Sequence, residues 1–366
     1  MLKKIAHIQV IPKLSGVQQI SLDILSNLPD ECFDKFIICS SCDENSKKFK
    51  EEFLKANVEI IEVDSLKRNI GFSDLKAFIE LYRLFKMYKF DIVHTNSTKP
   101  GIIARIAAKL AGINNIIHTV HGIAFHKHVK LHKRLFYFLI EYISCFAGDI
   151  NILVNNNYKK YYPLLNNKVI YNGVNFNNLT YCENKTKNKA LKVAFMARLD
   201  EQKNPLMFIE AVNLLINDNV DLNNVEFLIA GDGELKYDCI KLIEKLKLND
   251  KIKLVGWVDD KSKFLSNIDI ICQPSKWEAF GLIFVEAAFF QIPSIGSDVE
   301  GIPEVIKHNE TGLIFESNNV VDLKNKLFEL INNHELRISL GKNAKKYCLE
   351  NFNMDKMTQE YNKIYK

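Results

Sequence analysis

Short apolar segments alternate with longer amphipathic segments along almost the whole chain. Such apolar runs between polar turns are typical of buried parallel strands, and the amphipathic stretches between them have helical spacing. We therefore predict two series of βαβ units. The first series of strands comprises residues 5–11, 36–40, 58–61, 92–95, 115–120, 150–154 and 169–171. The second begins near Leu191 and continues at residues 225–230, 252–255, 268–272, 294–296 and 312–315.

The break between the two series predicts a two-domain α/β protein. An asparagine-rich stretch from Asn172 to Lys189 has no hydrophobic period, and 366 residues exceed what one hydrophobic core usually supports. We expect Rossmann-like domains at residues 1–175 and 191–350, a linker at 176–190, and a last helix at 351–366 that returns to the first domain.

Composition is that of an ordinary globular protein, with 47% hydrophobic and 25% charged residues. The apolar run at the start is interrupted by His7 and Gln9, so it predicts a strand rather than a signal peptide. The scattered cysteines indicate a reducing, cytoplasmic location. The Cys39 and Cys42 pair has the spacing of redox or metal sites, but it follows a strand and lacks a second pair. We therefore favour a structural role for it.

Two glutamates stand on either side of a glycine turn that opens an apolar helix. Glu278 precedes the Gly281-Leu282 turn, and Glu286 lies within the helix. Because the first N–H groups of a helix attract anions, the turn is suited to a phosphate, and Glu286 is suited to ribose hydroxyls. The alternative is a helix with two solvated carboxylates.

Basic and glycine-rich loops follow two other predicted strands. Arg198 and Lys203 come after the strand at Leu191, and Gly231 follows the strand at 225–230. An arginine and a lysine are suited to stabilising a leaving diphosphate. Because ligands of open α/β sheets bind beyond the carboxyl ends of the strands, the loops are suited to one ligand.

These motifs, together with Thr119-Val120-His121-Gly122, resemble the family 4 glycosyltransferases in order and spacing. The resemblance implies retaining enzymes of the GT-B fold, in which two Rossmann-like domains face a central cleft. It also implies site roles. Arg198 and Lys203 would bind the donor diphosphate, Glu286 the ribose and Glu278 the donor sugar, with His121 beside the reacting centre. Gly231, Gly281 and Leu282 would complete the donor site.

The first strand-to-helix loop departs from the family pattern. The family usually has two adjacent glycines there, and Ser15 replaces the first. We still expect Gly16 to approach the donor. A single glycine in this loop argues against a dinucleotide-binding dehydrogenase.

Two histidines end strands of the first series. On local sequence alone His121 is more readily structural, but the resembling motif favours a hydrogen bond to the donor sugar. For His94 we favour a structural role.

The function implied by the resemblance is transfer of a hexose or N-acetylhexosamine from a nucleoside diphosphate sugar, with UDP preferred. The acceptor would be a glycan on undecaprenyl diphosphate, in O-antigen or capsule synthesis. No Asp-x-Asp pair occurs, so the sequence requires no catalytic metal or other cofactor. Two alternatives are a nucleotide-sugar epimerase or hydrolase of the same fold and a non-catalytic binding module.

Net positive charge is concentrated in the first half of the chain. Residues 1–180 carry 24 basic and 16 acidic residues, and no acid occurs between Asp91 and Glu141. The segment 131–140 joins cations to a broad apolar face. We interpret it either as a surface for anionic lipid, which would place the enzyme on the inner face of the plasma membrane, or as a buried helix with a solvated basic end. Nucleic acid is disfavoured because no recognition motif accompanies the charge.

Overall fold

The computed structural model describes residues 2–67, 71–181 and 190–366. The chain divides into two compact units, one of Met1–Gly173 with Met354–Lys366 and the other of Val174–Asn353. Each unit is built on one parallel sheet, which confirms the predicted α/β class. Residues 182–189 of the predicted linker lie outside the described residues.

Secondary structure follows the predicted alternation closely. The strands are β1 (Lys3–Ile8), β2 (Phe33–Cys39), β3 (Val58–Glu62), β4 (Ile92–Asn96), β5 (Asn115–Val120), β6 (Ile150–Leu153), β7 (Asn167–Val169), β8 (Leu191–Met196), β9 (Val225–Ala230), β10 (Ile252–Gly256), β11 (Ile270–Gln273), β12 (Ser294–Ser297) and β13 (Gly312–Phe315). The helices are α1 (Gly16–Ser26), α2 (Lys47–Lys55), α3 (Ser73–Tyr88), α4 (Thr98–Ala111), α5 (Leu131–Cys145), α6 (Pro205–Asn217), α7 (Lys236–Lys245), α8 (Lys261–Leu265), α9 (Leu282–Phe289), α10 (Ile302–Val305), α11 (Val320–Asn332), α12 (His334–Asn351) and α13 (Met354–Tyr365).

The first unit has a seven-stranded sheet in the order β3-β2-β1-β4-β5-β6-β7. Both faces are covered, because Ile5 and Ala6 point to opposite faces and belong to different cores. The last helix, α13, completes one of these cores with Met357, Tyr361 and Tyr365, each at most 2% exposed. The strand order reverses between β1 and β4.

The second unit has a six-stranded sheet in the order β10-β9-β8-β11-β12-β13, and the strand order reverses between β8 and β11. Its core is mainly aliphatic and includes the fully buried Phe195, Phe208 and Phe227. Helix α6 begins with Asn204 in the left-handed region and Pro205 in the first turn, where a missing backbone N–H costs nothing. This turn fixes the end of the loop that follows β8.

Within the described ranges, no helix combines the length and hydropathy needed to cross a bilayer. The same residues contain no cluster of three or more His, Cys, Asp or Glu side chains placed to hold a metal ion.

Candidate functional site

The loops after β8 and β11 flank the point where the order of the second sheet reverses, and the loop after β9 lies next to them. Crevices at such points are where open α/β sheets bind ligands. The structure therefore brings Arg198, Lys203, Gly231 and Glu278 to one edge of one sheet, although these residues come from three separate segments.

Hydrogen bonds join these loops without any ligand. The Leu199 N–H donates to the Asp232 carbonyl oxygen at 3.0 Å, and the Lys276 N–H donates to the Gln202 carbonyl oxygen at 2.8 Å. The Gln202 side-chain amide donates to the Trp277 carbonyl oxygen at 3.1 Å. The loop after β8 is thus held from both sides.

Gly231 allows two of the loops to approach closely. Its φ is 143°, and a Cβ added there would lie 1.9 Å from the Ala197 carbonyl oxygen. A Cβ added at Gly233 would likewise lie 2.4 Å from the Leu199 carbonyl oxygen. Since no side chain fits at either position, the glycines set the spacing between the β8 and β9 loops.

Lys203 and Glu278 form an ion pair at the centre of this edge. Their side chains are 17% and 10% exposed, and the same Glu278 oxygen accepts a hydrogen bond from Gln273 Nε2 at 3.3 Å. The sequence assigns the lysine to a diphosphate and the glutamate to a sugar. In the structure each is the other's counterion.

Arg198 remains more open than Lys203. Its guanidinium lies 3.0 Å from Asp200 Oδ2 and 3.5 Å from Gln202 Oε1, and its side chain is 58% exposed. These partly buried partners hold the exposed arginine at the rim and leave further N–H groups of the guanidinium without a partner in these two contacts.

The predicted glycine turn opens α9. Gly281 has φ 87°, and an added Cβ would lie 2.7 Å from the Phe284 ring. Among the described residues, no side chain caps this helix start at Leu282. The first amides of α9 are therefore available to an anion.

Glu286 lies on α9 and pairs with Lys261, the first residue of α8, at 2.7 Å between Oε1 and Nζ. The glutamate side chain is 13% exposed and the lysine 50%. Sequence reasoning missed Lys261, which no motif marks. It also missed Gln273, although this residue ends β11 and the strand-end rule that selected Arg198 applies to it.

His121 belongs to the first unit and follows β5. Its Nε2 lies 3.0 Å from the Asn96 Oδ1 atom at the end of β4. Burial lowers the pKa of His121 to about 4, so the ring is neutral near neutral pH. Gly16, also in the first unit, is the exposed first residue of α1.

His94 is fully buried, which supports its structural interpretation. Its Nδ1 lies 2.5 Å from the Tyr365 hydroxyl, and its Nε2 lies 2.7 Å from Thr119 Oγ1. His7 Nε2 lies 3.0 Å from the same tyrosine hydroxyl. These groups tie the sheet of the first unit to α13.

The cations of the acid-free stretch between Asp91 and Glu141 are only partly exposed to solvent. Arg105 is fully buried, and it donates to Ser144 Oγ at 2.8 Å and to Asn151 Oδ1 at 3.1 Å. Lys99 pairs with Asp74 at 2.6 Å. By contrast, the lysines around the start of α5 are exposed: Lys127, Lys130 and Lys133.

Helix α5 presents its apolar side to solvent. Five of its large apolar residues and the adjoining Phe146 are 46% to 78% exposed: Leu131, Leu135, Phe136, Leu139, Ile143 and Phe146. The buried side carries Glu141 and Ser144, and Glu141 accepts a hydrogen bond from Tyr162. Within the segment 131–140, the interpretation as a buried helix is therefore wrong for Leu131, Leu135, Phe136 and Leu139.

The Cys39 and Cys42 pair lacks the features of a redox site. Cys39 ends β2 and is fully buried, whereas Cys42 lies in the loop beyond it. Burial raises the pKa of both thiols, and reactive thiols need the opposite shift.

Comparisons with known proteins assign both halves of the chain to one class. Residues 182–347 match the family described as glycosyl transferases group 1, and residues 23–155 match the family described as glycosyl transferase 4-like. An Escherichia coli relative, UDP-Gal:alpha-D-GlcNAc-diphosphoundecaprenol alpha-1,3-galactosyltransferase, is 33% identical over 99% of this chain and 96% of its own length.

More distant relatives cover the chain as fully. A Campylobacter jejuni alpha-1,4-N-acetyl-D-galactosaminyltransferase, named for an undecaprenol-diphosphate-linked acceptor, is 26% identical over 96% of this chain and 95% of its own. The structure of Anabaena Alr3699/HepE in complex with UDP has a TM-score of 0.80, at 17% identity and 99% coverage of both chains. The two Rossmann-like units are therefore those of the GT-B fold.

Proposed function

Since this chain belongs to the group 1 glycosyltransferases, the family 4 enzymes, we propose that it transfers a hexose or N-acetylhexosamine from a UDP-sugar to a lipid-linked glycan. The acceptor is a glycan on undecaprenyl diphosphate, in O-antigen or capsule synthesis. The 33% identity over 99% of the chain to an enzyme named for such an acceptor supports this choice.

The observation that carries the proposal is the set of strand-end groups in the second unit. Lys203 and Arg198 supply two cations at the sheet edge, and the start of α9 supplies unpaired amides. A diphosphate needs this combination when the bond to the sugar breaks, because negative charge then grows on the leaving oxygen.

The resemblance to the family implies the other roles that we propose. Glu286 binds the ribose and Glu278 the sugar, while Gly231, Gly281 and Leu282 bring backbone close to the donor. Glu278 is released from Lys203 when the diphosphate takes over that lysine. We also assign His121 a hydrogen bond to the donor sugar and Gly16 a close approach to the donor.

The reaction proceeds with retention at the anomeric carbon. The bond from that carbon to the diphosphate oxygen breaks as the acceptor hydroxyl oxygen bonds to the same face, and UDP leaves. The hydroxyl proton passes to the departing phosphate. The developing charge is met by Arg198 and Lys203, and no residue is required to form a covalent sugar intermediate.

One experiment tests the proposal against its alternatives. The purified protein is incubated with radiolabelled UDP-galactose, UDP-glucose, UDP-GlcNAc or UDP-GalNAc, with and without glycans on undecaprenyl diphosphate. We expect label in the lipid fraction with one donor, only when acceptor is present, and an α-linked product by NMR. Release of free sugar or formation of an epimer without label in lipid would contradict it, as would binding of donor without turnover.

We further propose that α5 rests on the anionic membrane that carries the acceptor, on the inner face of the plasma membrane. Its exposed apolar stripe is wide enough to enter the interfacial region, and Lys127, Lys130 and Lys133 around its start match anionic headgroups. Such a surface binds peripherally.

The way α5 is docked supports this proposal. Most amphipathic helices bury their apolar side, but α5 is held by the polar side chains of Glu141 and Ser144 and by contacts with Arg105. Burying polar groups is costly unless they are hydrogen-bonded. Here Glu141 Oε1 accepts a hydrogen bond from Tyr162, and Ser144 Oγ donates to the Glu141 carbonyl oxygen. The arrangement leaves the apolar stripe free for lipid.

A further inference from the structure

Asn96 holds one ring nitrogen of His121. The two residues lie at the carboxyl ends of neighbouring strands. Asn96 ends β4 and pairs with Thr119 of β5, and His121 comes just after β5. Asn96 is 1% exposed, and its Oδ1 lies 3.0 Å from His121 Nε2. Its Nδ2 donates to the His94 carbonyl oxygen at 3.4 Å.

This arrangement fixes which nitrogen of His121 carries the proton. A carbonyl oxygen only accepts, so the bond to Nδ2 sets the Asn96 amide with its oxygen toward the imidazole. An amide oxygen also only accepts, so His121 Nε2 must donate. In a neutral imidazole the other nitrogen, Nδ1, then carries a lone pair and accepts hydrogen bonds.

The surroundings keep His121 neutral. Burial is what lowers the pKa of His121. The histidines of the same sheet, His7, His94 and His118, are fully buried, and burial lowers the pKa of each of them as well. No carboxylate among the described residues contributes to its titration. A neutral ring with a fixed proton is a directional acceptor, whereas an imidazolium would be a donor at both nitrogens.

We propose that Asn96 is a positioning residue for the transfer reaction, which holds His121 as the Nε2–H tautomer and presents Nδ1 as an acceptor to a hydroxyl of the donor sugar. The consequence for catalysis rests on the role proposed above for His121, whereas the tautomer follows from the geometry alone. The two parts are therefore tested by different measurements.

The tautomer is read by long-range proton–nitrogen NMR of the full-length protein labelled at histidine nitrogens. His121 is assigned by the signal lost in His121→Gln. We expect the wild-type protein to show protonated Nε2 and unprotonated Nδ1 at neutral pH. Asn96→Leu, similar in size but without an acceptor, should give a mixture of tautomers. A wild-type ring protonated at Nδ1 would overturn the proposal.

Activity then tests the consequence. We expect Asn96→Leu to lose on the order of 10-fold in kcat/KM, as for a lost hydrogen bond in the transition state. Asn96→Asp places a carboxylate beside Nε2 and should raise the pKa of His121. The activity of this variant should therefore increase as rising pH deprotonates His121, and the wild-type enzyme should not show this increase.

Asn115→Asp is the matched control, because Asn115 lies at the other end of β5. It should leave both the His121 spectrum and activity unchanged. If Asn96→Leu alters the tautomer but retains wild-type kcat/KM while His121→Gln is impaired, Asn96 has no positioning role. If His121→Gln itself retains full activity, the role proposed for His121 fails. The NMR result then still decides whether Asn96 sets the tautomer.

Discussion

Lys203 and Glu278 neutralise each other in this structure, although they are 75 positions apart in the sequence and lie on different strand-end loops. Both side chains are mostly buried, so separating them is costly unless each gains another partner. Under the roles proposed above, a donor would supply both partners, because its diphosphate is an anion and its sugar hydroxyls can donate to the carboxylate.

We predict that Lys203→Met and Arg198→Ala each lower kcat by roughly 100-fold or more and change the donor KM less, because the cations meet charge that grows in the transition state. Initial rates over a range of donor concentrations separate the two parameters. Lys324→Met is the matched control, since Lys324 of α11 forms a 2.7 Å pair with Asp218 at the end of α6, away from the site. Mutants that raise only KM would show that the cations bind the ground state.

We predict that Glu286→Ala weakens UDP binding about 10-fold, since a hydrogen bond to a charged group is worth roughly 1.5–3 kcal/mol. Calorimetry with UDP and its 2′-deoxy and 3′-deoxy forms tests the proposed contact directly. The wild-type protein should lose affinity for a deoxy form, and Glu286→Ala should lose none beyond its own deficit. Additive losses in the double comparison would show that the carboxylate does not bind the ribose. Lys261→Met controls for breaking the ion pair alone and should have the smaller effect.

We predict that the wild-type protein floats with anionic vesicles and does so less as salt rises, because each surface cation contributes on the order of 1 kcal/mol near an anionic leaflet. Charge reversal of Lys127, Lys130 and Lys133 to Glu should abolish flotation. The double change Leu135→Ser and Phe136→Ser should weaken it at every salt concentration.

Both sets of variants should keep activity on a short, water-soluble acceptor. Phe328→Ser on α11 is the matched control, because Phe328 is 47% exposed and lies outside the proposed surface. Wild-type protein that binds neither neutral nor anionic vesicles would rule out the membrane role and leave the transferase assignment intact.

We predict that the first unit loses stability as pH falls below about 6.5, the ordinary pKa of histidine. Burial lowers the pKa of His7 to about 3 and that of His121 to about 4, and it holds the pKa of His94 and His118 well below the usual value. In that range the unfolded chain binds protons that the folded unit does not. The free energy of unfolding therefore declines with falling pH.

A histidine variant isolates this effect, because Asp23 and Glu141 act in the opposite direction. Burial raises the pKa of Asp23 to about 6 and also raises that of Glu141, so their protonation favours the folded state as pH falls. Urea unfolding of wild type and His7→Gln at about pH 7.5 and about pH 5.5 gives the comparison. The free energy of unfolding of His7→Gln should fall less than that of the wild type between the higher and the lower pH. Equal losses would contradict the prediction, and exposed His334→Gln is the control.

The positions of the strands along the chain were predictable because parallel strands buried on both faces are continuous apolar runs. β5 and β9 have the predicted bounds, and the strand-end rule located Arg198, Lys203 and Gly231 at one sheet edge. The pairing of Lys203 with Glu278 was not predictable, because it depends on how two loops meet in space.

The orientation of α5 was also beyond sequence reasoning. An amphipathic pattern shows that a helix has two sides but not which side is buried. The answer depends on partners for Glu141 that lie on other elements, among them Tyr162, and on Arg105 of α4. The buried role of Arg105 has no signal in a segment whose charge pattern suggests a surface.

The return of α13 to the first unit has a consequence for synthesis on the ribosome. The core around β1 is incomplete until Met357, Tyr361 and Tyr365 have been made, and His7 and His94 lack the hydroxyl of Tyr365 until then. Residues 174–353 are translated before that last helix. The second unit therefore has all its residues first, and the part of the chain made earliest is the last to be able to finish folding.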